Sequence, residues 1–265
     1  MVSQPDRRRG RGKETSPTPV KAFAMERGIE VTDDLDRVKD LDVELAIVVA
    51  YGRLIPAAML EAMPYLNVHF SLLPRWRGAA PVERAILAGD LETGVAIMQL
   101  EEALDTGPVY ATSTTPVGEA TSAELLDRLS VMGGDLLVSL LASGVAGLPD
   151  PVAQVGEPTY AAKLKAEDFA LTPGLSAVEM SRRVRLGRAS LQVAGQRLRV
   201  HAAHLAEGEP DDVPGTLRGA AVCTGSGRLI LELVQPEGRK PVDAADWRRG
   251  ARLDEVVHLD EPASR

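Results

Sequence analysis

Two rhythms of apolar residues run through the first 148 positions. "LAIVVAYG" (45–52) is a near-continuous apolar run rich in β-branched residues, the pattern of a parallel strand covered on both faces. "YLNVHF" (65–70) reads as a second short strand, "GVAIMQL" (94–100) alternates as a third, and "PVYATSTTPV" (108–117) is predicted as its partner. Helical spacing fills the gaps. Val20, Phe23, Ala24 and Arg27 share a face closed by Gly28, "PAAMLEAM" (56–63) is helical, and Pro81 can open a helix through "VERAILAG". "GIEV" (28–31) reads as a short strand and "DDLDRVKDLDVE" (33–44) as a polar helix or turn. A Thr121/Glu124 capping box begins a longer helix with Leu125, Leu129, Met132, Leu136 and Leu140 on one face. Strands alternating with helices predict an α/β domain over 1–148 with a mainly parallel, Rossmann-like sheet.

The texture then changes. Residues 149–169 are Pro-, Gly- and polar-rich without a clear period and read as a linker. A short helix capped by Ser176 and Glu179 follows, then strand-like pieces separated by turn residues: "ASLQVAG", "QRLRVHAAHL", "PGTLRG", "AAVCTG" and "RLILELVQP". That pattern predicts a small OB-like β-barrel over 170–260.

With 45% hydrophobic and 26% charged residues in 265, the chain is globular and long enough for two cores. A single cysteine, Cys223, suits a reducing compartment. The N-terminus has no apolar core of a signal peptide, and the longest uncharged stretch, 136–148, is too short to span a bilayer. A cytoplasmic protein is expected. The net charge of −8 is segregated: residues 1–21 carry about +4, residues 22–169 about −13, and residues 170–265 about +1. A polyanion could be met only at local basic features. Arg7, Arg8, Arg9, Arg11 and Lys13, broken by two glycines, form a cationic arm suited to phosphates. Arg182, Arg183, Arg185 and Arg188, with Arg197 and Arg199, offer a second basic surface on the barrel.

The chemistry gathers around "NVHFSLLPRWRGAAP" (67–81) and "LDTG" (104–107). Asn67 and His69, two apart near a strand end, would point the same way. An amide can stabilise an oxyanion, an imidazole can take a proton, and Asp105 could steer that imidazole. Taken one at a time, a lone His or Asp is more often a solvated loop residue than a catalyst. His201 and His204 form an H-x-x-H that a strand would splay to opposite faces, without a cysteine pair or acidic partner nearby, so no metal site is expected. There is no Walker-type phosphate loop and no G-x-S-x-G elbow.

The stretch 67–111 resembles the signature of folate-dependent formyltransferases, and "SLLPRWRGAAP" with "LDTG" is most similar to the group that formylates methionyl-tRNA. "SQPDRRRGRGKETSPTPVK" (3–21) resembles that group's basic loop and "VQPEGRKPVDAADWRRGAR" (234–252) its C-terminal end. The resemblance implies formyl transfer from 10-formyltetrahydrofolate to the α-amine of methionyl-initiator-tRNA; separately, a monomer without a metal is expected. It implies that Asn67, His69 and Asp105 are the catalytic triplet, that Ser71, Leu72, Leu73 and Pro74 form the folate-binding loop, and that Arg11 contacts the tRNA acceptor end. Arg75 and Arg77 suit either the wall behind the donor or the substrate's phosphates. The central motif is shared with formyltransferases acting on amino-sugar nucleotides, the alternative acceptor class. Family members open with a strand, a Gly-Thr-Pro turn and a helix, whereas this sequence opens at the basic loop, with Met1-Val2 as the tail of the second strand. The expectation is therefore an upstream start or an inactive, truncated copy. "VRLGRAS" (184–190) also replaces a Pro-rich loop ending in Gly-Ala-Trp.

Overall fold

The computed structural model describes residues 1–8 and 15–261. Strands β1 (Arg7–Arg8) and β2 (Thr15–Ser16) pair antiparallel, Arg7 opposite Ser16. Thr18 then starts α1 (Pro19–Glu26): its hydroxyl accepts from the Lys21 N–H, and Pro19 fills a first-turn position that needs no donor. The polar stretch after it forms only a 3-10 turn, Asp36–Asp40. Next come β3 (Ala46–Val48), α2 (Ala57–Ala62), β4 (Tyr65–His69), β5 (Arg77–Gly78), α3 (Pro81–Ala88), β6 (Glu92–Gln99) and β7 (Val109–Pro116). The predicted capping box opens α4 (Ser122–Leu140): the Thr121 N–H donates to Glu124 Oε2 at 2.8 Å, and the Glu124 N–H donates back to Thr121 Oγ1 at 3.3 Å.

The sheet order is β3-β4-β6-β7. This is the expected Rossmann-like α/β sheet, but its pairing is mixed. β3 runs parallel to β4, whereas β4 and β6 are antiparallel, with His69 opposite Ala96. The burial of two strands is the reverse of their sequence patterns. β6, which alternates by hydropathy, is the covered centre: Val95, Ala96, Ile97 and Met98 are all fully buried. β3, the most apolar run, is an edge with β4 on one side only, and Ile47 and the following Val49 remain exposed. A fully apolar run shows that a strand could be covered, not that it is. The open flank of β3 lines a cavity of about 420 Å³ together with Val2, Thr32, Leu35 and Val38.

The chain gathers into two compact units. The first comprises Met1–His69, Ala96–Ala111 and Leu137–Gln154, and it holds β3, β4 and the ends of β6 and β7 nearest the Asp105 turn. Residues 149–169, read from sequence as a linker, are not bare chain. Val152 bridges to Val109 within the first unit, while β8 (Tyr160–Ala161) and a 3-10 turn, Ala166–Phe169, belong to the second.

The second unit comprises Phe70–Val95, Thr112–Leu136 and Val155–Arg265. Its helix α5 (Ala177–Arg185) starts with the predicted Ser176/Glu179 box. Then come β9 (Ser190–Val193), β10 (Gln196–Ala206), β11 (Thr216–Arg218), β12 (Ala221–Thr224), β13 (Gly227–Pro236), β14 (Val242–Asp243), α6 (Ala244–Gly250) and β15 (Val256–His258). They form an antiparallel sheet of order β15-β11-β12-β13-β10-β9, with β14 on β13. The sheet curls until its ends meet: Val193 bridges antiparallel to Leu259, and the Asp260 N–H donates to the Gln192 carbonyl at 2.9 Å. A bulged register between Val200 and Ala203 bends β10 as the closure requires. Met180 from α5 packs with Leu191, Leu198, Val200, Leu217, Val222 and Leu229 in a core closed to water.

A charge cluster around the buried Arg228 fastens the 207–215 connection to this barrel. Arg228 on β13 donates to both carboxylate oxygens of Asp212 and to Glu209, and the Cys223 thiol donates to Asp212 Oδ1 at 3.3 Å. The Arg228 hydrogen bonds hold the Asp212 carboxyl well below its usual range. A folded-state pKa below the unfolded value of about 3.9 adds stability that is complete above that pH and is lost as pH falls further. We therefore expect Asp212→Asn to lower the thermal midpoint at pH 7, and the gap between variant and wild type to narrow as unfolding is followed from about pH 4 towards pH 3. A constant gap across that range would show that the ion pair is not its source.

Candidate active site

Asn67 and His69 occupy alternate positions of β4 and so share a face of the sheet. Their register is fixed on both sides: Asn67 lies between Val48 on β3 and Met98 on β6, and His69 lies opposite Ala96. Asn67 is half-buried and His69 is buried. Asp105 arrives from the connection between β6 and β7. Its carboxylate Oδ2 stands 3.8 Å from His69 Nδ1, and the two side chains retain only 10% and 6% of their accessible surface. The distance is that of an ion-pair approach rather than a formed hydrogen bond. The sequence-predicted triplet is thus carried by one unit, with the imidazole and carboxylate facing each other.

The turn that delivers Asp105 is tightly specified. Asp105 adopts φ of +51°, a left-handed conformation that aspartate tolerates better than most side chains. Gly107 passes so close to β6 that a Cβ there would lie 1.9 Å from the Gln99 carbonyl oxygen. The Gln99 N–H in turn donates to the Pro108 carbonyl at 2.9 Å, and Tyr110 and Gln99 bond through their side chains at 3.1 Å. From outside the motif, Gln154 Nε2 donates to the carbonyls of Asp105 and Gly107 at 2.9 and 2.8 Å. Gln154 sits in the stretch without hydrophobic period, where sequence offered nothing to mark it.

The predicted folate loop starts two residues after His69 in the second unit. The Ser71 hydroxyl is buried and donates to the Arg75 carbonyl, and the Arg75 N–H donates to the Leu72 carbonyl at 3.1 Å. Leu72, Leu73 and Pro74 are half-buried, with the Leu73–Pro74 peptide cis. Gly94 lets Leu72 seat against β6: a Cβ there would come within 2.6 Å of Leu72 Cδ2. Asp90 gathers the next two side chains. It accepts from Arg75 Nε at 2.8 Å, from Arg75 Nη2, and from Trp76 Nε1 at 2.7 Å. Thr159 holds the same loop through its hydroxyl, which accepts from the Trp76 N–H at 2.9 Å, and its carbonyl, which accepts from the Arg77 N–H. Of the two uses open to Arg75 in the sequence, the structure engages it in bracing the loop. Asp90 follows the left-handed Gly89 that ends α3, a visible helix stop, but nothing in the sequence says what its carboxylate accepts.

Only part of the basic arm lies within the described residues. The backbones of Arg7 and Arg8 lie in β1, while Arg9, Arg11 and Lys13 fall outside the described residues. The α5 arginines, read as a second polyanion surface, are engaged by the protein itself. Arg183 donates to the Glu167 and Ala170 carbonyls, Arg185 to the Gly118 carbonyl, and Arg182 reaches the Ala88 carbonyl at 3.5 Å. Arg188 stacks 4.7 Å from the centre of the Phe169 ring, and Arg199 donates to the Gly187 carbonyl. His201 and His204 bond instead to Gln235 and Glu232. Among the described residues, no three His, Cys, Asp or Glu side chains are grouped to hold a metal ion, and no helix is long and apolar enough to cross a membrane.

Comparison with known proteins matches residues 1–141 to the formyl transferase model and residues 163–252 to the formyl transferase C-terminal domain. The chain is 41% identical over 274 residues to methionyl-tRNA formyltransferase of Halorhodospira halophila, covering 96% of this chain and 88% of that protein. Among solved structures, methionyl-tRNA formyltransferase from Clostridium thermocellum aligns with a TM-score of 0.58 at 18% identity, over 81% of this chain and 91% of that one. HypX from Aquifex aeolicus in complex with tetrahydrofolic acid aligns with a TM-score of 0.61 at 22% identity, over 84% of this chain and 43% of that longer one. These two structures share its fold. The paired domain matches and the near full-length identity lead to one conclusion: the chain belongs to the formyl transferase family, where its curated relatives are methionyl-tRNA formyltransferases.

Proposed function

We propose that this protein transfers the formyl group of 10-formyltetrahydrofolate to the α-amine of methionyl-initiator-tRNA, as a cytoplasmic monomer. The observation that carries the reading is identity of 41% to a methionyl-tRNA formyltransferase, sustained through 96% of the chain. The catalytic domain is assigned to 1–148, a linker to 149–169 and the tRNA-binding OB-like domain to 170–260, a division supported by family matches at 1–141 and 163–252.

The residues present fit the chemistry. Leu72, Leu73 and Pro74 offer half-buried apolar surface for the folate ring system, on a loop braced by Ser71. The folate supplies the formyl carbon. As the amine nitrogen bonds to that carbon, its carbonyl oxygen gains negative charge, and the Asn67 side-chain N–H donates to it. His69 takes the proton that the amine nitrogen must lose and returns it to the folate nitrogen as the bond from carbon to that nitrogen breaks. Asp105, 3.8 Å from Nδ1, holds the imidazole in the orientation that leaves its other nitrogen towards the amine. No charge is left over: one C–N bond forms, one breaks, and one proton changes nitrogen. The arm of Arg7, Arg8, Arg9, Arg11 and Lys13 neutralises acceptor-stem phosphates.

His69→Ala and Asp105→Asn are expected to lower kcat for methionyl-tRNA formylation by about 10²-fold or more, with the thermal midpoint little changed. Near-normal turnover in either would reject these roles. Asp90→Asn acts on the other substrate: loosening Arg75 and Trp76 should raise KM for 10-formyltetrahydrofolate about tenfold, while KM for the tRNA stays within a factor of about two. Equal losses for both substrates would mean that Asp90 supports the domain generally rather than the loop.

A further inference from the structure

We infer that Gln154 is a positioning residue for formyl transfer, fixing the turn that aims the Asp105 carboxylate at His69; this rests on the roles given above to those two residues. One amide nitrogen spans the turn. Nε2 stands 2.9 Å from the Asp105 carbonyl and 2.8 Å from the Gly107 carbonyl. A primary amide has two N–H donors, so each carbonyl receives one, and two facing acceptors fix which end of the amide is nitrogen. The two carbonyls flank Thr106, whose hydroxyl ties the same turn to the Ala103 carbonyl at 3.2 Å. Holding the 105–106 and 107–108 peptide groups sets the backbone from which the Asp105 side chain projects.

Gln154 is itself held by the strand leaving that turn. Val152 and Val109 exchange both backbone hydrogen bonds at 2.8 Å, two residues from Gln154 and two from Gly107. A circuit results: Gly107 lies close against the Gln99 carbonyl, the chain runs on to Val109, Val109 fixes Val152, and Gln154 closes back on the turn. Every member of it belongs to the first unit. The carboxylate-to-imidazole distance of 3.8 Å is about 1 Å longer than a charge-assisted hydrogen bond. The turn therefore has to deliver the carboxylate within a narrow range, and a misplacement of about 1 Å can cost about 10²-fold in rate. Gln154 is assigned no contact with either substrate. It acts through Asp105.

The amide chemistry makes the test sharp. Gln154→Glu keeps the shape but sets a carboxylate, which only accepts, against two carbonyls. Gln154→Met keeps the length and removes both donors. In the full chain, both variants should lower kcat by about 10- to 100-fold, Glu more than Met. KM for either substrate should stay within a factor of about two. Backbone amide exchange across 104–107 should quicken in both. In an Asp105→Asn background the Gln154 substitutions should cause no further loss of kcat, because the group they aim is already gone. Unchanged kcat and unchanged exchange would overturn the inference. So would an undiminished further loss in the Asp105→Asn background, which would assign Gln154 to general stability. Full turnover in Asp105→Asn alone would instead remove the role given to Asp105, while the exchange measurement still decides whether Gln154 holds the turn.

Discussion

The approach of the Asp105 carboxylate to the His69 imidazole is the constraint around which the first unit is organised. Both side chains are nearly closed to water, where an unpaired charge is costly and a misdirected one is useless for moving a proton. His69 cannot shift along its strand, because β4 is paired on both edges. All the adjustment therefore falls on the turn carrying Asp105. That turn is held by a left-handed residue, a glycine pressed on a carbonyl, and a side-chain amide from a distant segment. None of the three works through hydrophobic burial. They are local hydrogen-bonding and steric devices, which are directional in a way that packing of flexible side chains is not.

The second unit solves the same problem differently around residues 71–78. Here one carboxylate, Asp90, collects a guanidinium and an indole N–H, and one threonine gives both its hydroxyl and its carbonyl to backbone donors. A loop rich in apolar residues would collapse onto whatever surface is nearest. Its two polar anchors keep Leu72, Leu73 and Pro74 half-open, so that the apolar surface remains available to a ligand.

Much of this could be read in the sequence, and the failures share a cause. The capping boxes at Thr121 and Ser176 were legible because a cap depends on residues three apart and on nothing else. Asn67, His69 and Asp105 could be singled out because the stretches that carry them resemble a family signature, and the structure brings the imidazole and the carboxylate to face each other. Strand burial was not legible: β3 reads as the covered strand and β6 as the alternating one, yet their neighbours reverse that. The arginines of α5 read as a surface for phosphates, since nothing local announces the carbonyls of Glu167, Ala170 and Gly118 that they meet. Gln154 and Asp90 went unread for the same reason. A side chain whose partner lies 14 to 49 residues away leaves no periodicity and no spacing behind.

The ring of the C-terminal sheet is completed by a seam rather than a strand pair. Val193 and Leu259 meet in a single bridge, with Asp260 donating to Gln192 and its carboxylate accepting from the Gly195 N–H at 2.7 Å. Residues 256–260 thus act as the last stave of the barrel. A chain cut before Val256 would leave the outer ladder groups of β11 and the Val193 bridge of β9 unsatisfied, open edges that another molecule's strand can pair with. Self-association guided by those edges, rather than simple unfolding, is what loss of so short a segment would bring.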